Sequence, residues 1–191
     1  MVNLRCAAAP TVQDSYSGSV RTLTPGHGRT TAQHWFSINR FADNAGMFSP
    51  SQDDVRRFFC AVHAKAQVGQ TMEAIEMLAS GWITEHPEYH GDLADAGTAL
   101  LARYDGQDGR TNPFLHLSMH LSISEQCSID QPRGIRQAVE LLTHRRNSLH
   151  QAHHEAMDCL GQMIWESQRA GHAPDGEAYV ACVQRHATGD S

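Results

Sequence analysis

Lysine is almost missing from this chain. Lys65 is the one lysine among 191 residues, and the formal charge is −6. An acidic, lysine-poor protein has little with which to neutralise nucleic-acid phosphates or anionic lipid head groups. Neither nucleic acid nor a membrane is therefore expected as a partner. Long apolar runs are missing too. None approaches the ~18 residues of a membrane span, and no apolar stretch of a secretory signal follows Met1. No C-x-x-C pair occurs, and the five cysteines (Cys6, Cys60, Cys127, Cys159 and Cys182) are odd in number. This argues against a disulfide framework and against a zinc ribbon. The cysteines read as small buried thiols in a reducing compartment, so a cytoplasmic protein is expected.

The common catalytic signatures are absent as well. There is no GxxxxGK[ST], no G-x-G-x-x-G and no G-x-S-x-G. His116-Leu-Ser-Met-His120 lacks the glutamate of the metalloprotease H-E-x-x-H motif. The Glu-x-x-His pairs of ferritin-like bundles do not occur. Gln131-Pro132-Arg133-Gly134 offers helix N-terminal amides and an arginine to an anion, but reads more simply as a helix start. No motif specifies a reaction, a partner protein or an oligomeric state, and an oligomer is compatible with the pattern.

Apolar residues make up 40% of the chain and charged residues 19%, a globular composition large enough to bury one core. The first 46 residues stand apart. Of the 15 basic and 21 acidic residues of the chain, Arg5, Arg21, Arg29 and Arg40 but only Asp14 and Asp43 lie there. Thr, Ser, Gly and Pro are dense and no period is sustained, so residues 1–46 are read as a disordered leader, or as sequence ahead of a true start at Met47.

From Met47 the pattern is helical. Ser49 caps a first helix with Pro50 at its first position and Gln52 completing a capping box. This helix reaches about Val68, with Val55, Phe58, Phe59, Val62 and Ala66 inward. Thr71 caps a second, which stops near Glu85 because Pro87 disfavours a helical His86. Weak turns follow. Asn112 and Pro113 open a third helix to about Cys127. Asp130–Pro132 begin a fourth to about His144, Ser148 caps a fifth to Ala170 closed by Gly171, and Pro174–Asp175 begin a sixth. No strand pattern competes. The expected fold is all-α, a single-domain bundle of about six helices over residues 47–191.

Thirteen histidines are the unusual abundance, and neutral imidazole is the commonest metal ligand. On a helical wheel the helix from Pro113 is apolar nearly all round. Its narrow polar stripe, Ser118, Ser122 and Glu125, lies opposite His116 and His120. These two histidines therefore face protein, and at i and i+4 they can share one ion. Left without partners, each buried polar group costs about 1–3 kcal/mol. A metal needs further ligands. The long helix offers His150, His153 and His154, with His153 inside its apolar arc and His154 at the edge. The stretch His86-Pro-Glu-Tyr-His90 offers His86 and His90, with Glu88 as a carboxylate. The ion would be zinc, iron or another divalent metal that accepts imidazole. The alternative is a non-catalytic structural or interaction protein, in which a buried histidine hydrogen-bond network fixes helix register.

Five segments follow one another in an order that resembles one family: MFSPSQDDVRRFF, EHPEYH, NPFLHLSMHLSISEQ, IDQPRGIR and MDCLGQMIWESQR. It is a proteobacterial domain-of-unknown-function family, number eighteen-forty-one, and the resemblance covers about Met47 to His186. It implies a small cytoplasmic bacterial protein, supports a start at Met47 and supplies no activity. The family pattern matches His86, His90, His116, His120 and His154, and so favours His154 over His153. Gln162 stands where the resemblance implies an acidic residue.

Overall fold

The computed structural model describes residues 50–104 and 111–189. The expected leader, residues 1–46, lies outside the described residues. Among the described residues there are eight α-helices and no strand. They are α1 (Gln52–Gln67), α2 (Ala74–Glu85), α3 (His90–Leu93), α4 (Ala96–Leu101), α5 (Pro113–Ile129), α6 (Ile135–Arg146), α7 (Leu149–Ala170) and α8 (Gly176–Thr188), with a 3-10 turn at Pro87–Tyr89. The six long helices are those the periodicity predicts. None is long and apolar enough to cross a membrane.

The helix starts show where local chemistry suffices and where it does not. Asn112 and Ser148 cap α5 and α7 as expected, and Asp175 caps α8, each side chain accepting from backbone N–H groups of the first turn. The α1 cap is Ser51 rather than Ser49. Asp54 at the third helical position accepts from the Ser51 amide at 2.9 Å, while the Ser51 hydroxyl accepts from the Asp54 amide at 3.2 Å. A carboxylate completes that reciprocal box better than the Gln52 amide would, so Pro50 precedes the helix. The α2 start moves from Thr71 to Glu73 because Glu76 accepts from the Glu73 amide at 3.0 Å. Lys65 of α1 donates to the other Glu76 oxygen at 2.6 Å. That ion pair joins two helices and is invisible to local sequence.

Helix α5 runs through the middle of the molecule and divides its core in two. Its first turns pack with α1 to α4 around Phe59, Val62, Trp82, Leu93, Ala99 and Leu117. Its last turns pack with α6, α7 and α8 around Ile123, Leu142, Leu160, Tyr179 and Val183. This double burial corrects the reading of the polar stripe. Ser118 and Ser122 are buried, not open to water. The Ser118 hydroxyl donates to the Phe114 carbonyl at 2.6 Å, and the Ser122 hydroxyl accepts from the Gln126 amide at 3.2 Å. Bonds along their own helix let small polar side chains enter a core.

The cysteines also depart from expectation. Cys159 of α7 and Cys182 of α8 form a disulfide with Cα atoms 5.8 Å apart, whereas Cys60 and Cys127 are not disulfide-bonded. The spacing of 23 residues carries no local signal. The pair meets because α7 and α8 return antiparallel through the Gly171 turn.

Candidate metal centre

The centre begins where α2 ends. Pro87 stops the helix, and the last N–H, that of His86, donates to the Ile83 carbonyl at 3.2 Å instead of the Trp82 carbonyl, so these end carbonyls can take further donors. Two histidine rings take part in satisfying them. His86 donates through Nδ1–H to the Trp82 carbonyl at 2.8 Å, and His90 donates through Nε2–H to the Ile83 carbonyl at 3.0 Å. A carbonyl oxygen can only accept, so the first bond fixes the tautomer of neutral His86. Its proton is on Nδ1, and Nε2 carries a bare lone pair.

That lone pair is the point on which the other elements converge. His86 Nε2 lies 3.0 Å from Nε2 of His116, 3.2 Å from Nε2 of His120 and 3.0 Å from Nε2 of His150. His116 and His120 come from one face of α5, and His150 and His154 stand likewise one turn apart on α7. Ligand nitrogens of His86, His116, His120 and His154 all lie within 4.8 Å of one another. His86 and His120 are buried, His116 is half-buried, and His154 opens toward solvent.

Aromatic rings wall the inner side. Trp82 stacks on His120 with centroids 4.1 Å apart and planes 19° apart, and also meets His153 at 4.3 Å. The Trp82 indole donates to the Ser124 hydroxyl at 2.7 Å, which donates in turn to the His120 carbonyl at 3.0 Å. Tyr89 lies parallel to His86 on the other side.

Burial governs the protonation of these rings. Desolvation, then the neighbouring His86, His154 and His150, push His116 down to about 4. Desolvation, then His153 and the other ring neighbours, push His120 lower still. Desolvation followed by His150 and His154 takes His153 to about 3. His150 and His154 are lowered for the same first reason. These five rings are therefore neutral near pH 7, the form in which an imidazole can bind a metal. Glu88 opposes the shift at His116, His150 and His154, with Glu85 acting on His150 and Asp158 on His154. Carboxylates thus face the group from the rim without belonging to it.

The expected ligands divide cleanly. His86, His116, His120 and His154 come together. His90 does not join them, because its Nε2 serves the Ile83 carbonyl and its ring packs against His63 with centroids 4.9 Å apart. His153 is buried as its place in the apolar arc requires, but it stands behind His120, with Nδ1 3.4 Å from His120 Nδ1. His150 is the residue whose closeness the sequence did not single out. The available signal was its i,i+4 relation to His154, the same spacing that marks His116 and His120. Gln162 is remote from the group in role. It donates to Glu166 at 2.8 Å on the surface of α7 and lines a separate cleft.

No curated protein and no solved structure matches the chain. A family model described as a domain of unknown function, DUF1841, matches residues 51–185. That span takes in α1 to α7, most of α8 and every histidine of the centre, and on it the chain belongs to the DUF1841 family.

Proposed function

We propose that this protein is a metal-binding helical bundle in which imidazoles from the end of α2, from α5 and from α7 hold one divalent ion. His86, His116, His120 and His154 are the primary ligand set. His150 is close enough to His86 to join or replace His154. The observation that carries this reading is the approach of three Nε2 atoms to the single lone pair of His86.

A hydrogen-bond network accounts poorly for that arrangement. An sp² ring nitrogen presents one lone pair in its ring plane, and one N–H can lie along it. Three rings aimed there would leave at least two ring nitrogens badly paired. A cation reverses the balance, because each ring then contributes a lone pair to a common centre. Bonds of ~2.0–2.1 Å place ligand nitrogens about 2.9–3.4 Å apart in octahedral or tetrahedral arrangements. The observed 3.0–3.2 Å separations from His86 fall in that interval. An imidazole set without carboxylate suits zinc or iron and disfavours magnesium and calcium, which take oxygen ligands. The Trp82 carbonyl acts as the outer partner that orients His86, and the solvent-facing side at His154 leaves room for water or a small ligand on the ion.

Metal content tests the proposal. The full chain, purified without a histidine tag, is expected to carry about one ion per molecule by mass spectrometry. His116→Ala/His120→Ala is expected to lose it while retaining helical circular dichroism. A chain that takes up neither zinc nor iron, and melts at the same temperature with and without chelator, would instead support the buried histidine network as a structural device.

A further inference from the structure

A second group of ligand atoms lies on the far side of α7, independent of the histidine centre. Glu155 and Cys159 are one turn apart on α7, and Cys182 and His186 are one turn apart on α8. Each pair therefore shares a helix face. The sulfurs of Cys159 and Cys182 and a ring nitrogen of His186 all fall within 4.8 Å of one another.

His186 is held in place. Its Nδ1–H donates to the Glu155 carboxylate at 3.1 Å, which leaves Nε2 available as a ligand. Arg146 fixes the carboxylate from α6 through Nε to one oxygen and through Nη2 to the other at 2.9 Å. A carboxylate that orients a histidine through its other ring nitrogen is the recurrent outer arrangement of metal-bound imidazole. Cys159 is buried, whereas Cys182 is half-buried, and both border a cleft of about 240 Å³ that also reaches Glu166, His172 and Asp175. A reductant and an ion thus have a path to the sulfurs.

We propose that Cys159, Cys182 and His186 form a redox-gated site for a thiophilic divalent ion, zinc foremost. In the oxidised state the disulfide occupies both sulfurs and the site cannot bind. A small dithiol reductant attacks the less buried Cys182 sulfur from the cleft and breaks the Cys159–Cys182 bond. The resulting mixed disulfide is resolved by the reductant's second thiol. Two electrons and two protons pass to the protein sulfurs, and the reductant leaves as its own disulfide. The ion then displaces the two protons and binds two thiolates and the His186 imidazole, with its fourth position open to the cleft. Oxidation by a disulfide oxidant reverses the exchange and releases the ion.

Cobalt(II) separates this site from the histidine centre, since thiolate ligation produces a charge-transfer band that imidazole ligation does not. The full chain is reduced with a dithiol, freed of reductant without air, and titrated with cobalt(II). One equivalent is expected to develop the thiolate band, and zinc to abolish it. The oxidised chain, Cys159→Ser and Cys182→Ser should show no band, whereas His116→Ala/His120→Ala should keep it. Glu155→Gln leaves every ligand in place and should weaken binding about 10–100-fold. The proposal is overturned if the reduced chain gives no band, if the band survives in both serine variants so that Cys60 or Cys127 is its source, or if reduction abolishes the helical circular dichroism.

Discussion

His86 and His90 are four residues apart at the same helix end, yet their chemistry diverges. Each ring donates to an end carbonyl of α2, but through different nitrogens. His86 spends Nδ1 and turns Nε2 inward, while His90 spends Nε2. His86→Gln is therefore expected to abolish metal uptake, whereas His90→Gln should leave the stoichiometry unchanged and lower only stability, by about 1 kcal/mol for one hydrogen bond. Metal analysis and urea denaturation of the two variants check this.

Protonation gives a second prediction at the same scale. His116, His120, His150, His153 and His154 have folded pKa values below the ordinary value of 6.5. Below pH 6.5 the unfolded chain therefore binds more protons than the native one. Stability of the metal-free protein is complete above about pH 6.5 and is lost as pH falls toward 4 and below. The slope approaches ~1.4 kcal/mol per pH unit for each fully buried ring such as His120 and His153. Glu125 works in the opposite sense. Burial raises it to about 7, so its contribution is present in acid and is lost as pH rises from 4.5 through 7. Several histidines outweigh one carboxyl, so denaturation midpoints should fall from pH 7 to pH 5. Glu125→Gln should make that fall steeper.

Helix α5 and helix α7 each present a histidine pair, and each is placed by its cap. The Asn112 side chain accepts from the amides of Phe114 and Leu115 at 3.0 and 3.2 Å, one turn before His116. Ser148 accepts from the Gln151 amide at 3.2 Å, beside His150. Asn112→Ala and Ser148→Ala should each cost about 1 kcal/mol in denaturant unfolding. They should also weaken metal binding without abolishing it, because the ligands stay while the helix starts fray. Both caps were legible from sequence, since Asn-Pro and Ser before an apolar period act within one turn. The α2 start was not, because its box uses Glu73 and Glu76, with a carboxylate in place of the usual Ser or Thr cap, and the Lys65 contact that also holds Glu76 comes from another helix.

Across the whole molecule the histidine group lies between both halves of the core. Trp82 and His86 belong to the half built on α1 and α2, whereas His150 and His154 lie on α7 of the other half. An ion bound there links α2, α5 and α7 and should stabilise the native state as a unit. At a free concentration 100 times its Kd it should add about 2.7 kcal/mol, a rise in Tm of roughly 5–10 °C. Differential scanning calorimetry with zinc and then with excess chelator measures the rise and its reversal.

Periodicity, caps and proline placement were enough to specify an all-α chain, six principal helices, a buried α5 and an inward His116–His120 pair. Each of these depends on residues within a turn or two of one another. Selection among the remaining histidines, the burial of Ser118 and Ser122, and the Cys159–Cys182 bond depended on which helix faces meet. His154 and His153 are adjacent in sequence but 100° apart on a helix. Only the docking of α7 against α5 and Trp82 puts His153 behind His120 and leaves His150 and His154 beside His86. The local chain determines the direction of a side chain from its own helix, and tertiary packing determines what it meets there.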